Sequence, residues 1–309
     1  MRQAPGARPD SAAQARHARM IDAMPWVFVL IWSTGFVVAR LAMPHAPPLT
    51  FLCWRYAASV IAFLLWAWLA RVPWPLGPRQ WAHLGVAGVM MQAGYLGGVW
   101  VAVRAGAPAG TVALIVGLQP MLTAAWVSWR GSHHVSAVQW AGLSLGLAGL
   151  TLVVWHKFGL GQVTAFNFSA SLLALAAITM GTLYQKRFIK PCDARTANCV
   201  QLGAALLVSL PLAWAEPGSM QWVPPVVFAL AWAVLALSLG GSSLLLMLIQ
   251  RGAATQVTSL MYLVPPCTAV LAWMMFDEPM SAATVGGMLL CAAGVALVMR
   301  GQTQTKRLP

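Results

Sequence analysis

Two stretches decide how this chain folds: VALIVGLQPMLTAAWVSWRGSHHVSAVQWAGLSLGLAGLTLVV, residues 112–154, and VTSLMYLVPPCTAVLAWMMFDEPMSAATVGGMLLCAAGVALVM, residues 257–299. They align without a gap at a constant offset of 145 (257 − 112). Pro120 falls on Pro265, Thr123 on Thr268, Ser136 on Ser281, Gly142 on Gly287 and Gly149 on Gly294. Shared apolar composition accounts for matching leucines and valines, but not for prolines and glycines kept in one register. Each stretch holds two apolar runs of about 20 residues, the length that crosses a hydrocarbon core of about 30 Å. The chain is therefore read as an internal repeat of membrane-crossing helices.

Outward from the repeat the same pattern covers the chain. Of 309 residues, 60% are hydrophobic and 8% are charged, where a soluble domain carries about 25% charged residues to solvate its surface. Apolar runs fall at 25–43, 49–70, 81–103, 107–129, 136–155, 164–185, 197–214, 225–249, 254–275 and 281–299. The predicted fold is all-α integral membrane: ten transmembrane helices as two inverted five-helix repeats around a central cavity. The halves span 23–157 and 158–300, with tails at 1–22 and 301–309. An odd number of helices per half forces the second copy to enter from the opposite face, so the repeats are inverted. Two nearly equivalent half-packings can then open a central cavity to either side, which points to a carrier.

The cations orient the chain. Short cytoplasmic loops retain Lys and Arg, and with the N-terminus inside fifteen of the nineteen fall on cytoplasmic segments. Arg40, Arg104 and Lys157 fall outside, and Arg55 lies inside the second run. Both termini are thus expected in the cytoplasm, with the chain in the cell (inner) membrane. The net charge of +13 is spread singly between apolar runs rather than gathered on a patch or arm, which excludes nucleic acid as a partner. Residues 1–22 have no apolar core, are not a cleavable signal peptide, and are expected to be disordered. Five cysteines at unrelated spacings form neither a disulfide framework nor a metal set.

Enzymatic classes lack their parts. No GxxxxGK[ST] loop for ATP, no HExxH and no intramembrane acid pair is present, so neither cofactor nor metal is expected. All six acids lie in tails, loops or helix ends, whereas ion-coupled carriers keep a carboxylate at mid-membrane. Facilitated transport of a small molecule is the reading. The alternatives are an integral membrane enzyme or a channel-like protein without a carrier cycle.

The segments PWVFVLIWSTGFVVAR (25–40), PPLTFLCWRY (47–56), GTVALIVGLQPMLTAAWVSW (110–129), LYQKRF (183–188) and TSLMYLVPPCTAVLAWMMFDEPMSAATVGGMLLCAAGVALV (258–298) resemble the EamA-type ten-helix exporters of the drug/metabolite transporter superfamily. The resemblance covers residues 25 to 300. It implies a basket of ten helices around a cavity that moves small metabolites outward, amino acids and related amphipathic compounds first among them. It also implies an arginine at the Arg55 position. The chain departs from the family at His133, where the first repeat is expected to carry a glutamate.

The candidate cavity residues are polar or aromatic groups at membrane depth. Arg55 is about 9 Å in from the outer end of its helix, at 1.5 Å per residue; it either snorkels to the interface or turns to the cavity. Trp32 and Ser33 sit mid-span in the first helix, and Thr179 and Tyr184 near their repeat counterpart. Gln92, Tyr95, Gln119 and Tyr262 complete the set, with Ser242 and Ser243 further polar groups at depth. Pro120 and Pro265 are expected as structural hinges that free backbone carbonyls beside Gln119 and Tyr262. Glycines four apart, Gly94/Gly98 and Gly142/Gly146, mark close helix contacts. Contacts within the basket suffice to explain them, so a monomer is expected, with a dimer as the alternative.

Overall fold

The computed structural model describes residues 11–130, 137–241, 244, 263–278 and 280–305. Its helices are α1 (Ser11–Ala42), α2 (Pro48–Leu69), α3 (Pro78–Gly88), α4 (Tyr95–Arg104), α5 (Ala109–Val116), α6 (Gln119–Arg130), α7 (Ala137–Gly159), α8 (Ala165–Phe188), α9 (Ala194–Trp214), α10 (Pro224–Trp232), α11 (Val264–Phe276) and α12 (Ala282–Thr305). Two π-helical segments interrupt them: π1 (Val89–Gly94) joins α3 to α4, and π2 (Ala233–Gly241) continues α10. Six helical stretches are long and apolar enough to cross a membrane, and shorter apolar helices at Trp26–Ala42, Ala109–Thr123, Val264–Phe276 and Ala282–Leu297 fall on the other four expected spans.

Three details differ from the expectation. α1 starts at Ser11, inside the tail expected to be disordered, because Ser11 to Met24 holds neither Gly nor Pro and is rich in Ala, with Arg and Met beside it, good helix formers. α12 likewise runs on to Thr305. The fourth span is not one helix: α5 ends at Val116 and α6 begins at Gln119. Pro120 and Pro265 each sit at the second residue of a helix, where proline's missing N–H would have had no intrahelical partner in any case. Pro120 thus follows directly on the break in the fourth span.

The packing partners obey a two-fold exchange that maps each helix onto the one five spans later. α7 packs on α12, α2 on α9 and α5 on α11, each pair symmetric with itself. α4 packs on α8, and its mirror relation is α1 on α10 and π2. The glycines that coincide in the repeat make the closest of these contacts. A Cβ on Gly149 would lie 2.5 Å from the Gly287 carbonyl oxygen, and one on Gly294 would lie 2.5 Å from that of Gly142. The two contacts are each other's image. Gly98 fits against the Ala170 carbonyl and Gly94 against Ala177, so the four-residue glycine spacing serves contacts inside the bundle.

The described connections sort onto two ends, as expected of ten crossings. At the end expected outside, Arg104 donates to the Met43 carbonyl, Asn167 to that of Ala105 at 3.3 Å, and the Gln221 amide to that of His45 at 2.9 Å. At the opposite end, Gln80 donates to the Lys190 carbonyl at 2.9 Å and Thr196 to that of Pro73 at 3.3 Å. Two carboxylates lock the first end. Glu216 accepts the amides of Leu49 and Thr50 at 2.9 and 2.8 Å, and Glu278 accepts that of Ala109 at 3.1 Å. Each stands in for the capping side chain that Pro47 and Pro108 cannot supply to α2 and α5, at the positive end of a helix dipole.

Candidate functional site

A cavity of about 780 Å³, its open mouth included, lies in the middle of the bundle. Its walls come from α1 (Trp32, Gly35, Phe36), α2 (Arg55, Phe63), π1 and α4 (Met91, Gln92, Tyr95, Trp100), α8 (Ile178), α9 (Asn198, Leu202) and π2 (Leu237, Ser238). These are spans one, two and three with their exchange mates six, seven and eight. The fourth, fifth, ninth and tenth spans instead meet in a separate apolar cluster around Ile115, Met121, Val153 and Met288. The cavity therefore sits on the two-fold axis relating the halves.

Both π segments border the cavity, and they occupy equivalent places. Adding the repeat offset of 145 to 89–94 gives 234–239, inside Ala233–Gly241. A π turn rearranges the backbone hydrogen bonds of the helix around it and recurs at functional sites. Here Tyr56 donates its hydroxyl to the Gln92 carbonyl at 2.9 Å, and Ser238 donates its own to the Ala233 carbonyl at 3.0 Å. Toward the end expected outside, Phe51 stacks on the cavity-lining Trp100 with ring centroids 4.4 Å apart, and both are fully buried.

Arg55 faces inward. Its residue is 7% exposed and lines the cavity, so the guanidinium does not snorkel to the interface. Among the described residues it makes one side-chain hydrogen bond, from Nη2 to the Ser238 hydroxyl at 3.5 Å, and its buried Nε has no partner. Among the described residues no carboxylate pairs with it. The described acids with a printed partner are used elsewhere: Asp193 on Arg195, Glu216 on α2 and Glu278 on α5.

The structure brings Trp32, Arg55, Gln92 and Tyr95 together on the cavity wall. It does not bring Ser33, Gln119, Thr179 or Tyr184 there. Ser33 is buried between α1 and α11, where its hydroxyl donates to the Val29 carbonyl at 2.7 Å and its own carbonyl accepts from Thr268 at 3.2 Å. Thr179 donates to the Leu175 carbonyl at 2.7 Å, and Gln119 to the Thr182 hydroxyl at 3.2 Å. The Tyr184 hydroxyl pairs with His83 Nδ1 at 2.7 Å, near the end expected inside, with Phe188 stacked on the imidazole. Ser33 and Thr179 thus bond to the preceding turn of their own helices, and Gln119 and Tyr184 to a neighbouring helix, which satisfies the partner a polar group needs in lipid. Tyr262, Ser242, Ser243 and His133 lie outside the described residues. Asn198 and Ser238 line the cavity without having been candidates; Ser238 is a polar residue within an apolar run, whereas Asn198 stands among Arg195, Thr196 and Gln201 and gave no such signal. Among the described residues no cluster of His, Cys, Asp and Glu could hold a metal.

Comparison with known proteins adds the family. The model of the EamA-like transporter family matches twice, at residues 23–155 and 167–300, one match to each half. "Uncharacterized transporter YvbV" of Bacillus subtilis is 24% identical over 275 residues, covering 87% of this chain and 88% of its own. "Probable amino-acid metabolite efflux pump" of Escherichia coli is 21% identical over 283 residues, covering 88% and 92%. A crystal structure superposes with a TM-score of 0.63 at 18% identity over 89% of this chain and 95% of its own, a likeness of fold.

Proposed function

We propose, from the fact that this chain belongs to the EamA-like transporter family, that it is a secondary carrier exporting small metabolites by alternating access. The observation that carries this reading is a cavity walled by exchange-related helices of two inverted halves. Such halves can trade packings, closing one end as they open the other. Family membership makes it a transporter rather than an enzyme. Amino acids and related amphipathic compounds are the proposed cargo, supported by the efflux pump among its relatives and by the mixed apolar and polar wall. Trp32, Arg55, Gln92 and Tyr95 are the proposed binding residues. The carrier is proposed to work as a monomer in the inner membrane with both termini cytoplasmic, and without ion coupling.

Purified protein in sealed vesicles tests this directly. Vesicles preloaded with an unlabelled amino acid are expected to show saturable uptake of the labelled one by counterflow, across a panel of amino acids. Passage that never saturates would replace the carrier with a channel, and a chemically altered solute would replace it with an enzyme. Concentrative uptake driven by a pH gradient would overturn the uncoupled mechanism alone.

A further inference from the structure

The cavity carries one permanent charge, and nothing described balances it. Guanidinium stays protonated in proteins, and an intramembrane cation costs about 2.5 to 3.5 kcal/mol even on the lenient translocon scale. A cation held only for packing is expected to have its donors filled. Arg55 has five N–H groups and, among the described residues, one 3.5 Å contact, to a hydroxyl whose own hydrogen is given to the Ala233 carbonyl. Its Nε is more than nine-tenths buried without a partner, on a side chain that lines the cavity. Nε and Nη2 form the edge by which arginine grips a carboxylate with two parallel hydrogen bonds.

We propose that Arg55 is the head-group site of the cavity and selects amphipathic carboxylates that carry no ammonium group. The inference rests on the carrier reading and narrows its cargo. The rest of the wall settles what the remainder of the ligand looks like. Trp32, Phe36, Phe63, Leu96, Val99 and Leu237 offer an apolar body its place. An ammonium group is balanced in charge only by a carboxylate, and among the described residues the lining contains none; Gln92, Tyr95, Asn198 and Ser238 are neutral. A free amino acid therefore gains at its carboxylate and loses at its amine, whereas an organic cation meets only repulsion. A compact, strongly hydrated anion such as phosphate would leave the apolar wall unused and find a single guanidinium.

Three probes with one apolar body separate these cases: 3-phenylpropionate, phenylalanine and phenethylamine. Binding to the purified full-length protein is measured by tryptophan fluorescence at neutral pH. The expected order is anion, then zwitterion, then cation, with 3-phenylpropionate at least about tenfold tighter than phenethylamine, as a charge-assisted bidentate pair warrants. Arg55→Gln is expected to erase that order and Arg55→Lys to weaken anion binding by about tenfold, since an ammonium lacks the fork. The wild-type protein supplies a test independent of either variant's folding. Because the guanidinium does not titrate, affinity for 3-phenylpropionate stays flat above neutral pH and falls in acid only as the ligand takes up its proton. Equal binding of all three probes, binding of none, or an anion preference that survives Arg55→Gln in a folded protein overturns the proposal. If the order holds but no probe or amino acid shows counterflow, the carrier reading falls and the anion site stands. If counterflow of an amine or amino acid survives Arg55→Gln, the carrier stands and the anion site falls.

Discussion

Replacing Gly149 with alanine adds one methyl group at the contact between α7 and α12. The new Cβ would lie 2.5 Å from the Gly287 carbonyl oxygen and 2.8 Å from the Cys291 amide nitrogen, against about 3.4 Å for ordinary contact, a shortfall of 0.9 Å (3.4 − 2.5). Both neighbours are backbone, so no rotamer change relieves the clash and the two helices must part. Overpacking of this kind costs about 1 to 3 kcal/mol. Against it stands the helix propensity gained when glycine becomes alanine, about 0.5 to 1 kcal/mol. Gly203, in the interior of α9, isolates that second effect, because a Cβ there meets nothing within 4 Å. Unfolding titrations in mild detergent should therefore find Gly203→Ala neutral or stabilised and Gly149→Ala less stable than Gly203→Ala by about 1 to 3 kcal/mol. Gly287→Ala meets the same contact from the other side, 2.6 Å from the Gly149 carbonyl, so the double variant should lose less than the sum of the two single ones. Equal gains at Gly149 and Gly203 would mean that α7 and α12 are not in backbone contact, and the two-fold arrangement of the halves would lose its closest support.

Two further substitutions probe the ends of the helices. Glu216→Gln is expected to destabilise by about 1 to 2 kcal/mol, the usual worth of a helix cap, and amide hydrogen exchange should accelerate first at Leu49 and Thr50, the amides it leaves without the carboxylate. Asp193 caps α9 and pairs with Arg195 at 2.8 Å; hydrogen bonding to that guanidinium holds its carboxyl below the usual carboxylate range. A group whose folded pKa is lowered contributes its stability above the unfolded value, about 3.9, and loses it as pH falls through the folded value. Asn also caps helices well, so Asp193→Asn removes only the charge: a stability loss of under about 1 kcal/mol at neutral pH, shrinking to nothing in acid, is expected from thermal unfolding across pH.

How far the sequence could be read depends on the range of the interaction. The repeat was legible because proline and glycine act locally, on backbone geometry and on the space between two helices. The number of crossings followed from apolar length and was checked by the cations, since both report on lipid rather than on neighbours. Arg55 stood out because charge at depth is costly, but its direction depended on the rotation of α2, which apolar composition on every side of that helix leaves open. Ser33, Thr179 and Gln119 resemble Trp32 and Gln92 in a sequence, and only packing decides whether a helix or the cavity meets them. Glu216 and Glu278 cap helices 167 and 169 residues away, a relation without any local trace. Pro120 was visible, but the break at Gly117 and Leu118 beside it was not.

The paired π segments bear on how this chain can change length. In a regular α-helix, deleting one residue turns everything beyond it by about 100° and draws it in by 1.5 Å, which would strip a bundle of its contacts. A π turn already holds a surplus residue between ends that keep their places. Removing Ala93 from π1 should therefore leave α3 and α4 seated, restore an uninterrupted α-helix and change only the wall beside Gln92. The same deletion in α9, for instance of Leu206, should unfold the protein. The middle of the third and eighth spans is thus the part of the chain where residue count is not dictated by the distance between the membrane faces, and where descendants of this sequence could gain or shed a residue to reshape the cavity without rebuilding the bundle.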